Sequence, residues 1–414
     1  LSMTTDRTHI IVGASLAGAK AAETLRAEGF DGPVVMIGTE SERPYERPPL
    51  SKDYLLGKAE RETIFVHPQD WYAENDVDLR LGATVTAIDR GAHEVSLADG
   101  SKASYAKLLL ATGSSPRRIS VSGADLDGVL YLRSVGDSDR MRAAFQQASR
   151  VVVIGAGWIG LETAAAARAA GAEVTVLEMA ELPLLRVLGR EVAQVFAALH
   201  RDNGVELRGG VQIAEITGSG GQADGVRLTD GSHIPADVVI VGVGITPNSQ
   251  LASAAGLKVD NGVWVSEQLR SSDPDIFATG DVANAFHPML GKHVRLEHWA
   301  NALNQPQTAA KAMLGQDVAY DLVPYFFTDQ FDLGMEYAGY VEPDGYDEVV
   351  FRGDVDGREF IAFWMGDGGR VLAGMNVNVW DVNDAIQALV KAGKPVDLTA
   401  LRDPEQPLES LIGG

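Results

Sequence analysis

Three stretches of the chain carry residue types whose spacing could do chemistry. Residues 151–178 read V-V-V-I-G-A-G-W-I-G-L-E-T-A-A-A-A-R-A-A-G-A-E-V-T-V-L-E. Gly155 allows a tight turn, Gly157 lets backbone approach a pyrophosphate, and Gly160 lets helix and strand pack closely. The helix that follows presents free N–H groups and the positive end of its dipole to that pyrophosphate. Glu178 stands where an acid accepts a hydrogen bond from an adenosine ribose. It would repel a 2′-phosphate, which favours NADH over NADPH. Residues 8–18, T-H-I-I-V-G-A-S-L-A-G, repeat the pattern with Gly13 and Gly18 at the first and third positions. Ser15 replaces the second glycine; serine is small, so close approach to a phosphate survives. Thr39 and Glu40 follow where the ribose-binding group of this second site would lie, and the sequence does not choose between them. Two fingerprints imply two dinucleotides. One nicotinamide and one flavin is the economical pair, because hydride can pass between them.

The third stretch, residues 42–52, reads E-R-P-Y-E-R-P-P-L-S-K. Pro44, Pro48 and Pro49 stiffen it. Arg43, Arg47 and Lys52 place three cations on a rigid loop, which suits an anionic cofactor; a solvated Pro-rich loop is the alternative.

Several elements must position these groups. Residues 151–154 and 174–177 read as buried strands flanking a helix that runs to about residue 171. In the first fingerprint the helix runs to about residue 29, and residues 34–37 form the next strand. Residues 108–110 are an apolar strand that ends in Ala111, Thr112 and Gly113. Residues 276–281 are a strand end that delivers the carboxylate of Asp281. Residues 297–305 begin a helix whose dipole could stabilise the negative charge of a reduced flavin. Beyond about residue 321 the pattern is α+β, with strand-like runs at 359–364 and 371–376.

The chain's 414 residues suggest two or three domains, and a 45% hydrophobic content allows sizeable cores. A formal net charge of −22 argues against nucleic acid and anionic membrane surfaces. No run reaches the ~18 apolar residues of a membrane span, and no signal peptide is visible. Leu1-Ser2 ahead of Met3 reads as a cloning remnant. A cytoplasmic enzyme is the expectation. The sequence has 0 cysteines, so disulfides, cysteine-ligated metals or clusters and thiol chemistry are excluded.

The motifs R-P-Y-E-R-P-P-L-S-K (43–52), A-T-G (111–113), L-R-S (132–134), G-V-G-I-T-P-N (242–248), S-D-P-D-I-F-A-T-G-D (272–281), E-H-W-A-N-A-L-N-Q (297–305) and P-Y-F-F-T-D-Q (324–330) span nearly the whole chain. Through them it resembles the FAD-dependent, NADH-using ferredoxin reductases of bacterial oxygenase systems. The resemblance implies a glutathione-reductase-like α/β flavoprotein: two Rossmann-like dinucleotide-binding domains plus a C-terminal α+β domain. FAD would occupy residues 1–113 with 247–320, NAD residues 114–246, and the interface domain residues 321–414.

By this resemblance FAD is held in the first turn by Gly13, Ser15, Leu16, Ala17 and Gly18. Thr39 or Glu40 meets its ribose. Arg43, Arg47, Pro48 and Lys52 contribute from the proline-rich loop, with Val85, Ala111, Thr112, Gly113 and Arg133 further along. Gly280 and Asp281 hold the ribitol. Glu297, His298, Trp299 and Ala300 lie at the pyrimidine end. Phe327 approaches the flavin, at a position where the family more often has tryptophan. NADH falls to Gly155, Gly157, Trp158, Ile159, Gly160, Glu162, Glu178, Arg186 and Gly244. Lys52 resembles the lysine beside the flavin nitrogen that receives hydride, and Glu162 the glutamate that pairs with it; these two are the catalytic candidates. No metal site is expected.

Hydride transfer needs two stacked rings and exclusion of water rather than a strong acid or base. Related disulfide reductases and NADH oxidases or peroxidases use cysteines, which this chain lacks. The electrons must leave singly to a partner, and the resemblance implies an iron–sulfur ferredoxin that serves an oxygenase. Lys292, His293, Arg295 and Lys311 are candidate docking cations, and a monomer or weak homodimer is implied. The rivals are a rubredoxin reductase and a redox-sensing NADH-binding protein like apoptosis-inducing factor. Fast turnover with a small iron–sulfur acceptor separates the first reading from the sensor.

Overall fold

The structure is a computed structural model that describes residues 7–413; Leu1 and Ser2 lie outside the described residues. The chain divides into two compact units.

The first unit comprises residues 1–46, 61–115 and 245–322. Its centre is a five-stranded parallel sheet in the order Ile276–Ala278, Lys107–Leu110, His9–Val12, Val34–Ile37, Val77–Arg80. Every residue of His9–Val12 and Val34–Ile37 is buried. A strand covered on both faces has no polar side, which is why residues 10–12 and Val34–Ile37 are continuously apolar rather than alternating. The helix Leu16–Ala27 returns from the first strand to the second, and its alanine-rich face packs on the helix Trp299–Met313. A small three-stranded antiparallel sheet, Val85–Asp89, Glu94–Leu97 and Lys102–Ser104, precedes the fourth parallel strand in sequence.

The second unit comprises residues 47–60, 116–244 and 323–414. It repeats the five-stranded parallel plan in the order Glu206–Arg208, Glu173–Leu177, Arg150–Ile154, Val238–Val241, Val129–Leu130. A three-stranded antiparallel sheet lies between Ile213 and Pro235. The C-terminal portion is a five-stranded antiparallel sheet, Tyr325–Gln330, Leu333–Gly339, Arg370–Val377, Glu359–Gly366, Glu348–Asp354, with the helix Asn383–Ala392 packed on it. This is the expected class: two parallel dinucleotide-type sheets and an α+β tail.

The tail does not stand apart from the central fold. The amphipathic helix Arg190–Asp202 buries Val192, Val195, Phe196 and Leu199 in one core with Met335, Tyr337, Trp364 and Met375 of the antiparallel sheet. Trp364 is fully buried, and its indole N–H donates to the Leu188 carbonyl at 2.8 Å. Truncating such a tryptophan to alanine costs roughly 3–5 kcal/mol. Residues 47–60, the end of the proline-rich stretch, also belong to this unit; Leu55 joins the same core.

Candidate functional site

In the first unit the strand His9–Val12 runs into Gly13 at φ +122°. A Cβ there would lie 2.0 Å from the Ala111 carbonyl oxygen, and one on Gly18 would lie 2.1 Å from that of Gly13. Only glycine fits either position. Ser15, extended at φ −125°, precedes the helix Leu16–Ala27, and its side chain makes no capping bond. Leu16 and Ala17 are buried in the helix's first turn. The N–H groups of that turn therefore have no side-chain cap, the condition under which a pyrophosphate can take them. Thr39 accepts a hydrogen bond from the Thr84 hydroxyl at 3.2 Å, and Glu40 accepts one from the Tyr45 hydroxyl at 3.1 Å. Arg43 lies over the Phe65 ring at 3.6 Å, pairs with Glu62 at 2.9 Å and donates to the His67 carbonyl. Val85 and Ala111 are buried, and the Thr112 hydroxyl donates to the Asn248 carbonyl at 2.7 Å. Gly113 adopts φ +67°.

Asp281, 9% exposed, accepts the Ser114 hydroxyl at 2.7 Å. Gly280 adopts φ +79° and donates its N–H to Gln305 at 2.8 Å, so the helix Trp299–Met313 fixes the turn that carries Asp281. His298 precedes that helix without a side-chain cap; burial pushes its imidazole down to about 4, against the pull of Asp281. Trp299 is half-buried, Ala300 is buried, and Glu297 is exposed and paired with Arg295 at 3.1 Å.

In the second unit the geometry recurs. Gly155 has φ +101°, its Cβ would meet the Gly242 carbonyl at 2.1 Å, and that of Gly160 would meet Gly155 at 2.1 Å. A Cβ on Gly157 would touch nothing within 4 Å. Packing does not explain glycine there, whereas a ligand laid against the backbone does. Gly157 precedes the helix Trp158–Ala169, again without a side-chain cap. Both turns thus fit a dinucleotide. Trp158 is half-buried against Phe196 and Phe326, with ring centroids 5.5 and 5.1 Å away. Ile159 is 45% exposed beside it, Arg186 is exposed, and Gly244 adopts φ +104°. Glu178 does something its motif did not disclose. Its two oxygens accept from the backbone N–H groups of Ala156, at 2.7 Å, and Ala180, at 3.0 Å. The acid holds its own turn shut. A carboxylate has lone pairs left for a ribose hydroxyl.

The proline-rich stretch becomes a short 3₁₀ helix, Pro48–Ser51, that ends at Lys52. Arg47 donates to the Arg133 carbonyl at 2.6 Å. Lys52 pairs with Glu162 at 2.9 and 3.1 Å to its two oxygens. Glu162 is 3% exposed. A buried carboxylate needs more than one partner. The Ser51 hydroxyl donates to one oxygen and the Thr328 hydroxyl to the other, each at 2.7 Å. Neither partner is legible from the motif spacing. The Lys52 ammonium lies 5.1 Å from the Phe327 ring centroid. Burial raises the nearby Asp329 carboxyl above its usual range; Lys52 opposes this, and Glu162 and Asp53 add to it.

The docking cations are less available than their charge suggests. Arg295 is committed to Glu297 and the Asp281 carbonyl, and Lys311 lies 3.9 Å from Glu28. His293 stacks on Trp264 and bonds the Val265 carbonyl. Among the described residues no helix is long and apolar enough to cross a membrane.

Two uncapped Gly-rich turns on two parallel sheets fit two dinucleotides, and a chain with no cysteine makes any redox chemistry there thiol-free. The chain belongs to the pyridine nucleotide-disulphide oxidoreductase family, whose model matches residues 7–306; a reductase C-terminal model matches residues 325–412. It is 42% identical to the ferredoxin–NAD(+) reductase component of the anthranilate 1,2-dioxygenase system of Burkholderia cepacia, covering 97% of this chain and 98% of that one. It is 38% identical to putidaredoxin reductase of Pseudomonas putida, covering 97% and 96%. The covalent putidaredoxin reductase–putidaredoxin complex superposes with a TM-score of 0.94 at 37% identity, covering 98% of each chain. The protein is accordingly an oxidoreductase, and FAD and NADH are the cofactors of its family and of these relatives.

Proposed function

We propose that this protein is an NADH:ferredoxin reductase that takes hydride from NADH onto FAD and releases electrons one at a time to a [2Fe–2S] ferredoxin. That ferredoxin in turn serves a monooxygenase or a ring-hydroxylating dioxygenase. One NADH then reduces two ferredoxins and releases NAD+ and one proton. The observation that carries the reading is the pairing of two open dinucleotide turns with the absence of any cysteine. The relatives named for oxygenase systems support it. Bound FAD supplies the change from two-electron to one-electron chemistry; the chain's own residues bind, orient and exclude.

In this reading the turn at Gly13, Ser15 and Gly18 holds the FAD pyrophosphate, and Asp281 holds its ribitol. Gly155, Gly157 and Gly160 hold the NADH pyrophosphate, and Glu178 selects against a 2′-phosphate. Trp158 covers the nicotinamide side. Lys52, fixed by Glu162, would supply one positive charge to a flavin ring that gains negative charge on reduction. The protein works in the cytoplasm as a monomer or weak homodimer, and its acceptor docks transiently.

The test is an anaerobic titration of the yellow holoprotein with NADH, alone and with a two-iron ferredoxin. Bleaching by NADH followed by reduction of the ferredoxin is expected. Bleaching without ferredoxin reduction would move the function to a rubredoxin or a sensing role.

A further inference from the structure

The pair Lys52–Glu162 is the end of a longer chain of buried polar groups. Thr328 and Gln330 lie on the strand Tyr325–Gln330, each 1% exposed, and His200 lies on the helix Arg190–Asp202 at 0%. The Gln330 amide nitrogen donates to the Thr328 hydroxyl at 3.2 Å, and the Gln330 oxygen lies 2.9 Å from Nε2 of His200. The face of the helix that carries His200 is otherwise Val192, Phe196 and Leu199. The other ring nitrogen, Nδ1, is buried with no hydrogen-bond partner among the described residues.

The direction of every bond follows from the carboxylate outward. Facing an ammonium, the Glu162 carboxylate only accepts, so Thr328 spends its single proton on it. The Thr328 oxygen must then accept from Gln330, which fixes the amide with its nitrogen toward Thr328. The amide oxygen can only accept, so Nε2 of His200 carries a proton. Nδ1, with no partner, is bare, and the ring is neutral. Burial agrees, holding His200 down to about 4 against the pull of the Gln330 bond. Without the His200 N–H the amide can turn over. Its oxygen then competes with Glu162 for the Thr328 proton.

We propose that Thr328, Gln330 and His200 are positioning residues, a one-way series of donors that locks the Glu162 carboxylate in the orientation that holds Lys52. The proposal rests on the reading above that the Lys52–Glu162 pair serves hydride transfer. The charged groups facing Glu162 are Lys52 in the 47–60 segment and Asp329 on the strand, with Asp53 facing Asp329 in turn.

Two measurements test it. In 15N-histidine NMR of the holoprotein, His200 (assigned with His200→Phe) is expected as the Nε2–H tautomer, with no titration between pH 7.5 and about 5. An Nδ1–H tautomer, or ordinary titration near 6.5, overturns the chain whatever the activity shows. In stopped flow, Thr328→Val and Gln330→Met are expected to slow the limiting rate of flavin reduction about tenfold. The apparent Kd for NADH should stay within about twofold. Thr328→Ser, which keeps the hydroxyl, restores the rate. A wild-type rate in Thr328→Val, or a Thr328→Ser variant as slow as Thr328→Val, overturns the proposal. Glu162→Gln separates the two ideas: a wild-type rate there removes the pair from hydride transfer, while the NMR result still decides the chain.

Discussion

The turn at residues 13–18 and the turn at residues 155–160 are the same device with one of the three motif glycines replaced, and that difference separates folding from binding. In both, the first and third glycines face backbone carbonyls about 2 Å from where a Cβ would sit. Those glycines belong to the fold, whatever is bound. The second position is different: at Gly157 a Cβ meets no protein atom within 4 Å, and the first turn carries Ser15 there. The three-glycine motif therefore mixes two demands, and only its middle residue speaks of the ligand. The acids differ as well. Glu178 clamps its own turn through two backbone N–H groups, whereas Glu40 bonds a tyrosine hydroxyl.

The largest expected effect breaks the comparison if it fails. Gly13→Ala and Gly155→Ala should each cost at least about 3 kcal/mol in denaturant unfolding, since a positive φ and a backbone collision combine. A mild effect at either site would mean that its turn relaxes and that the two are not equivalent. Next come two of the histidines that burial holds down to about 4, one taken from each unit: His9, in the strand entering the first turn, and His200. Each stays neutral in the folded chain while the unfolded chain gains a proton below about 6.5. Stability is thus complete above that value and falls as pH drops to about 4, by up to about 3 kcal/mol per histidine. His9→Phe and His200→Phe should each flatten that acid limb, read as the unfolding midpoint between pH 7 and 4. A smaller effect follows for Glu178→Arg, which loses two turn bonds. It should cost about 1–2 kcal/mol and move selectivity toward NADPH, whereas Glu40→Gln should leave NADH selectivity untouched. Unchanged NADH/NADPH selectivity would remove Glu178 from the ribose. Smallest in stability are Gly157→Ala and Ser15→Gly, within about 1 kcal/mol each. Gly157→Ala should nonetheless weaken NADH binding at least tenfold by titration, and no loss there would sharpen the contrast in the opposite sense.

The elements that place these turns were legible because their signals are local. The strand Val34–Ile37 falls where the sequence reading places it, and the helix Trp158–Ala169 stops two residues short of the expected end. The environment of Glu162 was not legible, because Ser51 and Thr328 reach it from distant parts of the chain with no spacing rule between them. The proline-rich loop read as three cations for a cofactor. In the structure Arg43 is spent on Glu62 and Phe65, Arg47 on a carbonyl and Lys52 on Glu162, because unpaired half-buried cations are costly. The second role of Glu178, closing its own turn, leaves no trace in sequence beyond the acid itself.

The core shared between the helix Arg190–Asp202 and the C-terminal antiparallel sheet has a consequence for synthesis. A ribosome delivers the central fold long before residues 333–377 emerge, and until then the apolar face around Phe196 has nothing to cover it. The nascent chain thus carries an unfinished, adhesive surface through the last part of translation, when holding chaperones act. For the same reason a premature stop before Trp364 leaves the helix Arg190–Asp202 without part of the core it folds against.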